Sequence, residues 1–314
     1  SYGSTLIKGL IFGGKQIVNL ATYGTSPEKL KENRRYNPLG YYSIDGVEKI
    51  YENQTDNYQQ DHAQLHWSER WNNHWTTNLA FHYTKGYGYW EWIDPYKVKY
   101  TKLGFPSIGN NAKGKEKKAY AAVRDGLDND FFGTTFSANY KKDNIDFIFG
   151  GLANHYKGYH IKNLLWTEKP STYEYLKEYS NEGPNTKNEF SAFAKLSWQL
   201  SKQWSLFGDL QYRGVTYKAN RFNVDEKFNF FNPKAGVTYF LNEKNNLYLS
   251  YGHSEKEPNR SDFKNYTDIL NNENPNAQKP VAEELNDFEL GYRFASDKVK
   301  LNVILFYMAY KNQL

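Results

Sequence analysis

Histidines, a run of aromatics and two groups of mixed charge are the side chains here that could do chemistry. His62 and His66 stand four apart, with Gln60 and Gln64, opposite Ala63, Leu65 and Trp67 in an alternating stretch. Residues four apart on a strand are about 13 Å apart, too far to share a metal. The same alternation sets His82 opposite Leu79, Phe81 and Tyr83. These imidazoles read as solvated groups on the polar face of strands. His155 and His160 lie near a strand top, where a haem ligand is conceivable, yet Met308 sits in a strand and supplies no haem motif. The stretch "GYGYWEWIDPYKVKY" carries Tyr87, Tyr89, Trp90, Trp92 and Tyr96. Planar aromatics offer large contact area at low entropy cost and stack on flat ligands. Trp90 and Trp92 share one face if the segment is extended. They either belong to a capture surface or mark an upper membrane boundary. Asp209, Gln211 and Arg213 alternate onto one face, where they balance one another's charge or hydrogen-bond to something inside. "EKEPNRSDF" ends a strand with Glu257, Pro258, Asn259, Arg260 and Asp262. Arg260 either contacts a ligand or staples the loop base through Asp262. No nucleophile elbow, phosphate-cradling glycine loop or helical histidine pair occurs, so no catalytic residue is assigned.

The elements that must position these groups are strands. In "FSAFAKLSWQLSKQWSLFGDLQYRGVT" every second residue from Phe190 to Leu200 is apolar, and the residues between are mostly polar. After "SKQ" the pattern resumes with Leu206, Gly208, Leu210 and Tyr212. Period two with one greasy face is a strand, and the short polar link is a hairpin turn. Mean hydropathy is −0.86 and only 39% of residues are hydrophobic, much of that Tyr, Phe and Trp. That is poor material for the inner faces of a two-layer soluble β protein. It suits strands with lipid on one side and water on the other. No apolar run reaches the ~18 residues a transmembrane helix needs, which says nothing against a barrel. Cysteine is absent, which removes disulfides, thiol catalysis and Cys-based metal sites. A net charge of +5 spread along the chain gives no nucleic-acid stripe.

The connections alternate in length. "NNH", "KKDN", "SKQ", "NEKNN" and "ASDK" are tight, whereas 22–57, 85–130, 161–188 and 255–284 are long. Short turns at one end and long loops at the other are the habit of an outer-membrane barrel. Roughly eleven strands of ~10 residues are legible. Trp67, Trp71, Trp75, Trp198 and Trp204 fall near strand ends, where a lipid boundary places such rings.

The segments "NLYLSYGHSEKEPNRSDF", "KPVAEELNDFELGYRF" and "LNVILFYMAYKNQL" resemble the barrel of TonB-dependent outer-membrane receptors. The likeness is greatest to the Bacteroidetes-type receptors for ferric siderophores, haem and cobalamin, and runs from about Asn33 to Leu314. "EPNRSDF" with "ELGYRF" at this spacing is its most specific part. The resemblance implies an all-β, antiparallel, up-and-down transmembrane barrel of 22 strands filled by an N-terminal plug. Residues 1–314 read as about half of that wall, one partial barrel domain without the plug or the energy-coupling box. It also implies an outer-membrane transporter, not an enzyme, that captures a scarce iron complex, haem or cobalamin and has no cofactor of its own. Expected partners are membrane lipid and lipopolysaccharide, a TonB-type energy-coupling protein acting through a plug, the ligand, and a surface lipoprotein; no nucleic acid is expected. Tyr87, Tyr89, Trp90, Trp92 and Tyr96 are the expected ligand-binding set. Asp209, Gln211, Arg213, Glu257, Asn259, Arg260 and Asp262 are the expected lumen or plug contacts. A soluble or surface carbohydrate-binding β protein, a passive porin and a barrel enzyme remain alternatives. The soluble reading requires a second layer over the apolar face.

Overall fold

The computed structural model describes residues 4–313 apart from 104, 170–182 and 273. The chain opens with β1 (Thr5–Asn19), a short helix α1 (Pro27–Glu32) and a small hairpin, β2 (Tyr41–Ile44) with β3 (Val47–Ile50). Four long strands follow: β4 (Thr55–Arg70), β5 (Trp75–Ile93), β6 (Ala121–Lys142) and β7 (Ile145–Thr167). Next come β8 (Asn185–Gln199), β9 (Trp204–Ala219), β10 (Val224–Phe231) and β11 (Lys234–Asn242). β12 (Asn245–Lys256), the helix α2 (Arg260–Asn272), β13 (Glu283–Ala295) and β14 (Lys300–Lys311) complete it. The wall order is β1-β4-β5-β6-β7-β8-β9-β11-β12-β13-β14, with every neighbour antiparallel. This is an up-and-down meander whose sheet does not close on itself.

β10 and β11 share one wall position. β10 pairs with Tyr212–Ala219 of β9 and β11 with Trp204–Asp209 of the same strand. Between them Pro233 has no N–H to give the ladder. Asn232 spans the gap, its N–H donating to Gln211 O at 2.9 Å and its Oδ1 accepting from Glu255 N at 2.8 Å.

The registers sort the wall into two faces. One carries Leu65, Phe81, Phe136, Phe149, Leu210, Leu249, Phe288 and Leu290, each roughly 40–55% exposed, in a continuous band across the strands. Among the described residues no second sheet or helix covers that band, so the layer a soluble sandwich requires is missing. Trp75 against Tyr140 (ring centroids 4.9 Å), Trp67 against Trp71 (6.3 Å) and Trp204 against Tyr239 (4.6 Å) border the band at its tight-turn end. We call this face outward. The inward face carries Gln60, His62, His82, Lys195, Asp209, Arg213 and Glu289.

The tight turns fall where the sequence pattern sets them, but the long connections are shorter than 85–130 and 161–188 suggest. β6 and β7 have 22 and 23 residues, more than twice the ~10 needed to cross a membrane. The ladders continue above the lipid, and Tyr87 to Trp92 lie within β5 rather than in a loop. The third connection runs partly through 170–182, outside the described residues.

The true loops fold onto both faces at that end. On the outward side Tyr42, Ile44 and Tyr51 pack over Ile93 and Ala122. On the inward side the segment after β5 buries Tyr100 and Phe105 against Val123 and Leu164. Likewise α2 buries Phe263 against Phe222, Ala219 and Val224.

Candidate functional site

Where these inward-folded loops converge, they roof a cavity of ≈ 1030 Å³ at the long-loop end of the inward face. The wall supplies Asp56 and Tyr58 from β4, Trp90 from β5, Asp125 and Leu127 from β6, and His160 and Lys162 from β7. Tyr58 lies flat because its neighbour is glycine; a Cβ on Gly88 would fall 2.5 Å from Tyr58 Cδ2. Three loop pieces complete the lining: Thr101, Lys102 and Leu103; Asn220, Arg221 and Phe222; and Arg260 with Lys264 of α2.

Each piece is fixed by a local interaction. Tyr100 is fully buried and donates its hydroxyl to Tyr120 O at 3.0 Å, which pins the first loop. At the start of α2, Asn259 Oδ1 accepts from Ser261 N (2.7 Å) and Asp262 N (3.2 Å), while Asp262 Oδ2 accepts from Asn259 N at 2.7 Å. That reciprocal pair satisfies amide donors that a helix start leaves bare. Asp262 therefore caps the helix instead of pairing with Arg260. Arg260 lies over the Phe222 ring at 4.9 Å, and its Nε is buried without a hydrogen-bond partner.

The cavity is cationic. Its lining carries Lys102, Lys162, Arg221, Arg260 and Lys264 against Asp56 and Asp125, and Lys264 is paired along its own helix with Asp268 at 2.9 Å. Asp125 is already engaged by Lys162 at 3.0 Å. Such a surplus in a partly enclosed space focuses a positive field and favours an anionic guest. Trp90, half exposed, offers a flat apolar surface beside it.

Next to α2 lies a second charged group. Arg213 presents Nη1 and Nη2 to Glu257 Oε2 (2.6 Å) and Oε1 (2.9 Å), and Nε to Glu189 Oε1 (2.8 Å). Lys187 Nζ is 2.5 Å from Glu257 Oε1. Burial opposes ionisation of Glu257, but the Arg213 fork and Lys187 outweigh it and hold the carboxyl at about 2. Because Glu257 stands three residues before the start of α2, this charge-balanced cluster ties the helix to the wall.

The structure distributes the sequence candidates unevenly. Tyr89, Trp90 and Arg260 line the cavity. Trp92 packs beneath the first loop. Tyr87 is edge-on to Tyr89 at 6.4 Å, and Tyr96 is a 72% exposed loop residue. Asp209 and Gln211 bond to each other at 3.2 Å, away from Arg213, and Asp209 Oδ1 is buried without a partner. His62 stacks on Phe12 at 4.6 Å and meets Thr84 Oγ1 at 3.0 Å; His66 meets Gln64 and His82 meets Asn154, both at 3.1 Å. His155 contacts Asn188 at 2.6 Å on the outward face, opposite to His160. Tyr58, Lys102, Asp125, Lys162, Arg221 and Lys264 escape a sequence reading. Of these, Asp125 and Lys162 alternate with their strands and become visible once the ladders are extended past residue 120.

The chain matches the family model "TonB dependent receptor-like, beta-barrel" over residues 9–314. No functionally curated protein matches it. Among solved structures it is similar to the ferric citrate transporter FecA in its unliganded form, with a TM-score of 0.64 at 12% identity, covering 99% of this chain and 41% of that one. It is similar to the copper transporter OprC (TM-score 0.60, 12% identity, 84% and 40% covered). It is also similar to the closed form of the ferric-catecholate import receptor Fiu from Escherichia coli K12 (TM-score 0.55, 14% identity, 99% and 49% covered). The chain spans less than half the length of each, and identities this low speak to the fold alone.

Proposed function

The chain belongs to the TonB-dependent receptor β-barrel family, and we propose that its protein captures an anionic iron complex at the cationic mouth cavity for import across the outer membrane. The family's barrels are outer-membrane proteins and transporters, not enzymes, and this chain shares that location and class. The observation that carries the ligand assignment is the charge of the cavity lining, five basic side chains against two acidic ones, which stays positive after Lys162 is matched by Asp125 and Lys264 by Asp268. The volume admits a solute too large for a narrow pore, and Trp90 suits a ligand with aromatic chelating groups. The solved relatives include ferric citrate, ferric-catecholate and copper transporters by name. Iron is favoured over copper because the lining holds no cysteine or methionine, the soft ligands copper selects. Placement among Bacteroidetes-type receptors rests on "EPNRSDF" and "ELGYRF". Import further requires a plug in the lumen and a TonB-type protein pulling on it, since a pore this wide must otherwise leak.

The test is calorimetric titration of the full-length receptor with two probes, a triply charged ferric tris-catecholate and an uncharged ferric hydroxamate. K102Q/R260Q/K264Q removes three charge-assisted contacts worth ~1 kcal/mol or more each, so catecholate affinity falls at least ~100-fold. Unchanged catecholate binding in the triple variant, or tighter binding of the uncharged probe by the wild type, sinks the assignment.

A further inference from the structure

The loop that contributes Lys102 to the mouth cavity also builds a second, separately lined cavity of ≈ 1170 Å³. Among the described residues Lys99, Lys115, Lys117, Lys118 and Lys169 line it, with Glu116 as the one carboxylate. Glu116 is turned to the loop itself, its oxygens accepting from Thr101 Oγ1 at 2.6 Å and Thr101 N at 3.3 Å. Lys169 lies 3.8 Å from Glu168 and Glu116 feels Lys99, which leaves Lys115, Lys117 and Lys118 as the cations to be matched.

The frame beneath the lysines is built rather than slack. Asn111 Oδ1 accepts from Lys113 N (2.9 Å) and Lys115 N (3.1 Å), and Lys117 N donates to Gly109 O at 2.9 Å. Val98 and Ala119 exchange backbone bonds at 3.1 and 3.0 Å, above the buried Tyr100. Like charges gathered on one concavity repel one another, and at physiological salt the screening length is only about 8 Å. The arrangement stores a repulsion that a compact anion with several charges relieves. The loop packs on the inward face, through Trp92 and Val123, away from the lipid band. Its partner therefore comes from solution and not from the leaflet.

We propose that this lysine-lined cavity is a second binding site, distinct from the mouth cavity, for a soluble oxyanion carrying three or more negative charges. Discrete anions of this kind match a cluster of point-charge ammonium groups, which grip without the planar geometry that an arginine fork demands.

The probe is sodium tripolyphosphate, titrated calorimetrically into the detergent-solubilised full-length receptor at low and physiological salt. The expected result is one saturable site that weakens steeply with salt. K115Q/K117Q/K118Q lowers affinity at least tenfold, K115R/K117R/K118R retains it, and K102Q/K264Q in the mouth cavity leaves it unchanged. All three lysines of the triple variant are exposed, and an unchanged thermal melt confirms that its fold survives. Wild-type-like binding by the glutamine triple, or an equal loss in K102Q/K264Q, overturns the proposal. Binding to nanodiscs containing a phosphorylated glycolipid, without binding of tripolyphosphate, overturns the assignment to a soluble anion. The mouth cavity's catecholate titration reads a different set of residues, so either assignment can fail alone.

Discussion

Substituting Glu257→Gln tests whether the Arg213 cluster holds α2 over the mouth cavity. In the folded protein the Glu257 carboxyl titrates at about 2, against an ordinary 4.5. At 1.36 kcal/mol per pH unit that difference is ~3 kcal/mol at full strength. Glu257 is 8% exposed, but Arg213 and Lys187 keep 24% and 36% of their side-chain surface open. Water reaching those partners screens the pair, and we expect roughly half, about 1.5 kcal/mol. The amide keeps the shape and some hydrogen bonds but leaves Arg213 and Lys187 facing Glu189 alone. The loss falls on the element Glu257 anchors, so α2 opens about tenfold more often and its amides exchange about tenfold faster at pH 7.

The pH dependence gives the sharper signature. A folded-state pKa depressed below the unfolded value stabilises fully above about 4.5 and loses that stabilisation as pH falls towards about 2. Wild-type α2 protection, corrected for intrinsic exchange, should therefore decline through that window. In Glu257→Gln it starts low and stays flat. Other carboxylates titrate there too, but the difference between the two proteins isolates this one. Parallel profiles, or wild-type protection of α2 in the variant at pH 7, would refute the latch. R213M/E257L should recover much of the loss, because removing both partners leaves no uncompensated buried charge.

Two further outcomes follow from the wall. A Cβ at Gly291 would lie 2.0 Å from Tyr248 Cε1, so Gly291→Ala must displace a ring that also carries Arg293 at 4.1 Å. We expect a cost of about 1–3 kcal/mol, read as a lower melting temperature, and Y248A/G291A to be no worse than Tyr248→Ala alone. Phe81→Arg puts a charge in the outward apolar band and should cost about 2–4 kcal/mol of barrel stability in liposomes, whereas Thr84→Arg on the inward face of the same strand costs far less. Equal costs would mean that the faces are assigned wrongly.

The faces were legible because a strand sets its side chains on a strict period of two. Leu65, Phe81, Leu210 and Leu290 stand in the outward band for the same reason that they alternate in sequence. The tight turns were legible because their residues are short and polar. Strand ends were not, since beyond the lipid both faces of a strand meet water and alternation loses its driving force. "GYGYWEW" thus reads as an aromatic loop although β5 runs through it to Ile93. The helix α2 was overlooked although Asn259 and Asp262, three apart, spell out its cap. The Pro and charges before it read as a strand end, and the segment carries few apolar residues to mark a helical face. Arg260 was singled out, but its surroundings were not, because Lys162 and Asp125 come from strands remote in sequence. A pocket assembled from four strands and three loops has no local signal.

The placement of charge separates what must persist from what must respond. On the wall, Arg213 and Lys187 are matched by Glu189 and Glu257, Arg124 by Glu91, and Lys85 by Asp128 and Asp130. A matched cluster, on either face, exerts little field at a distance and holds its place in the wall. Surplus positive charge collects where loops converge, around Lys102 and Arg260 and around Lys115, Lys117 and Lys118. Placed on loops and a helix end rather than inside a matched wall cluster, those groups can draw an anion at little structural cost. A variant that neutralises loop cations should therefore slow ligand capture with the barrel unharmed, while one that unbalances the wall should weaken the structure first and capture only as a consequence.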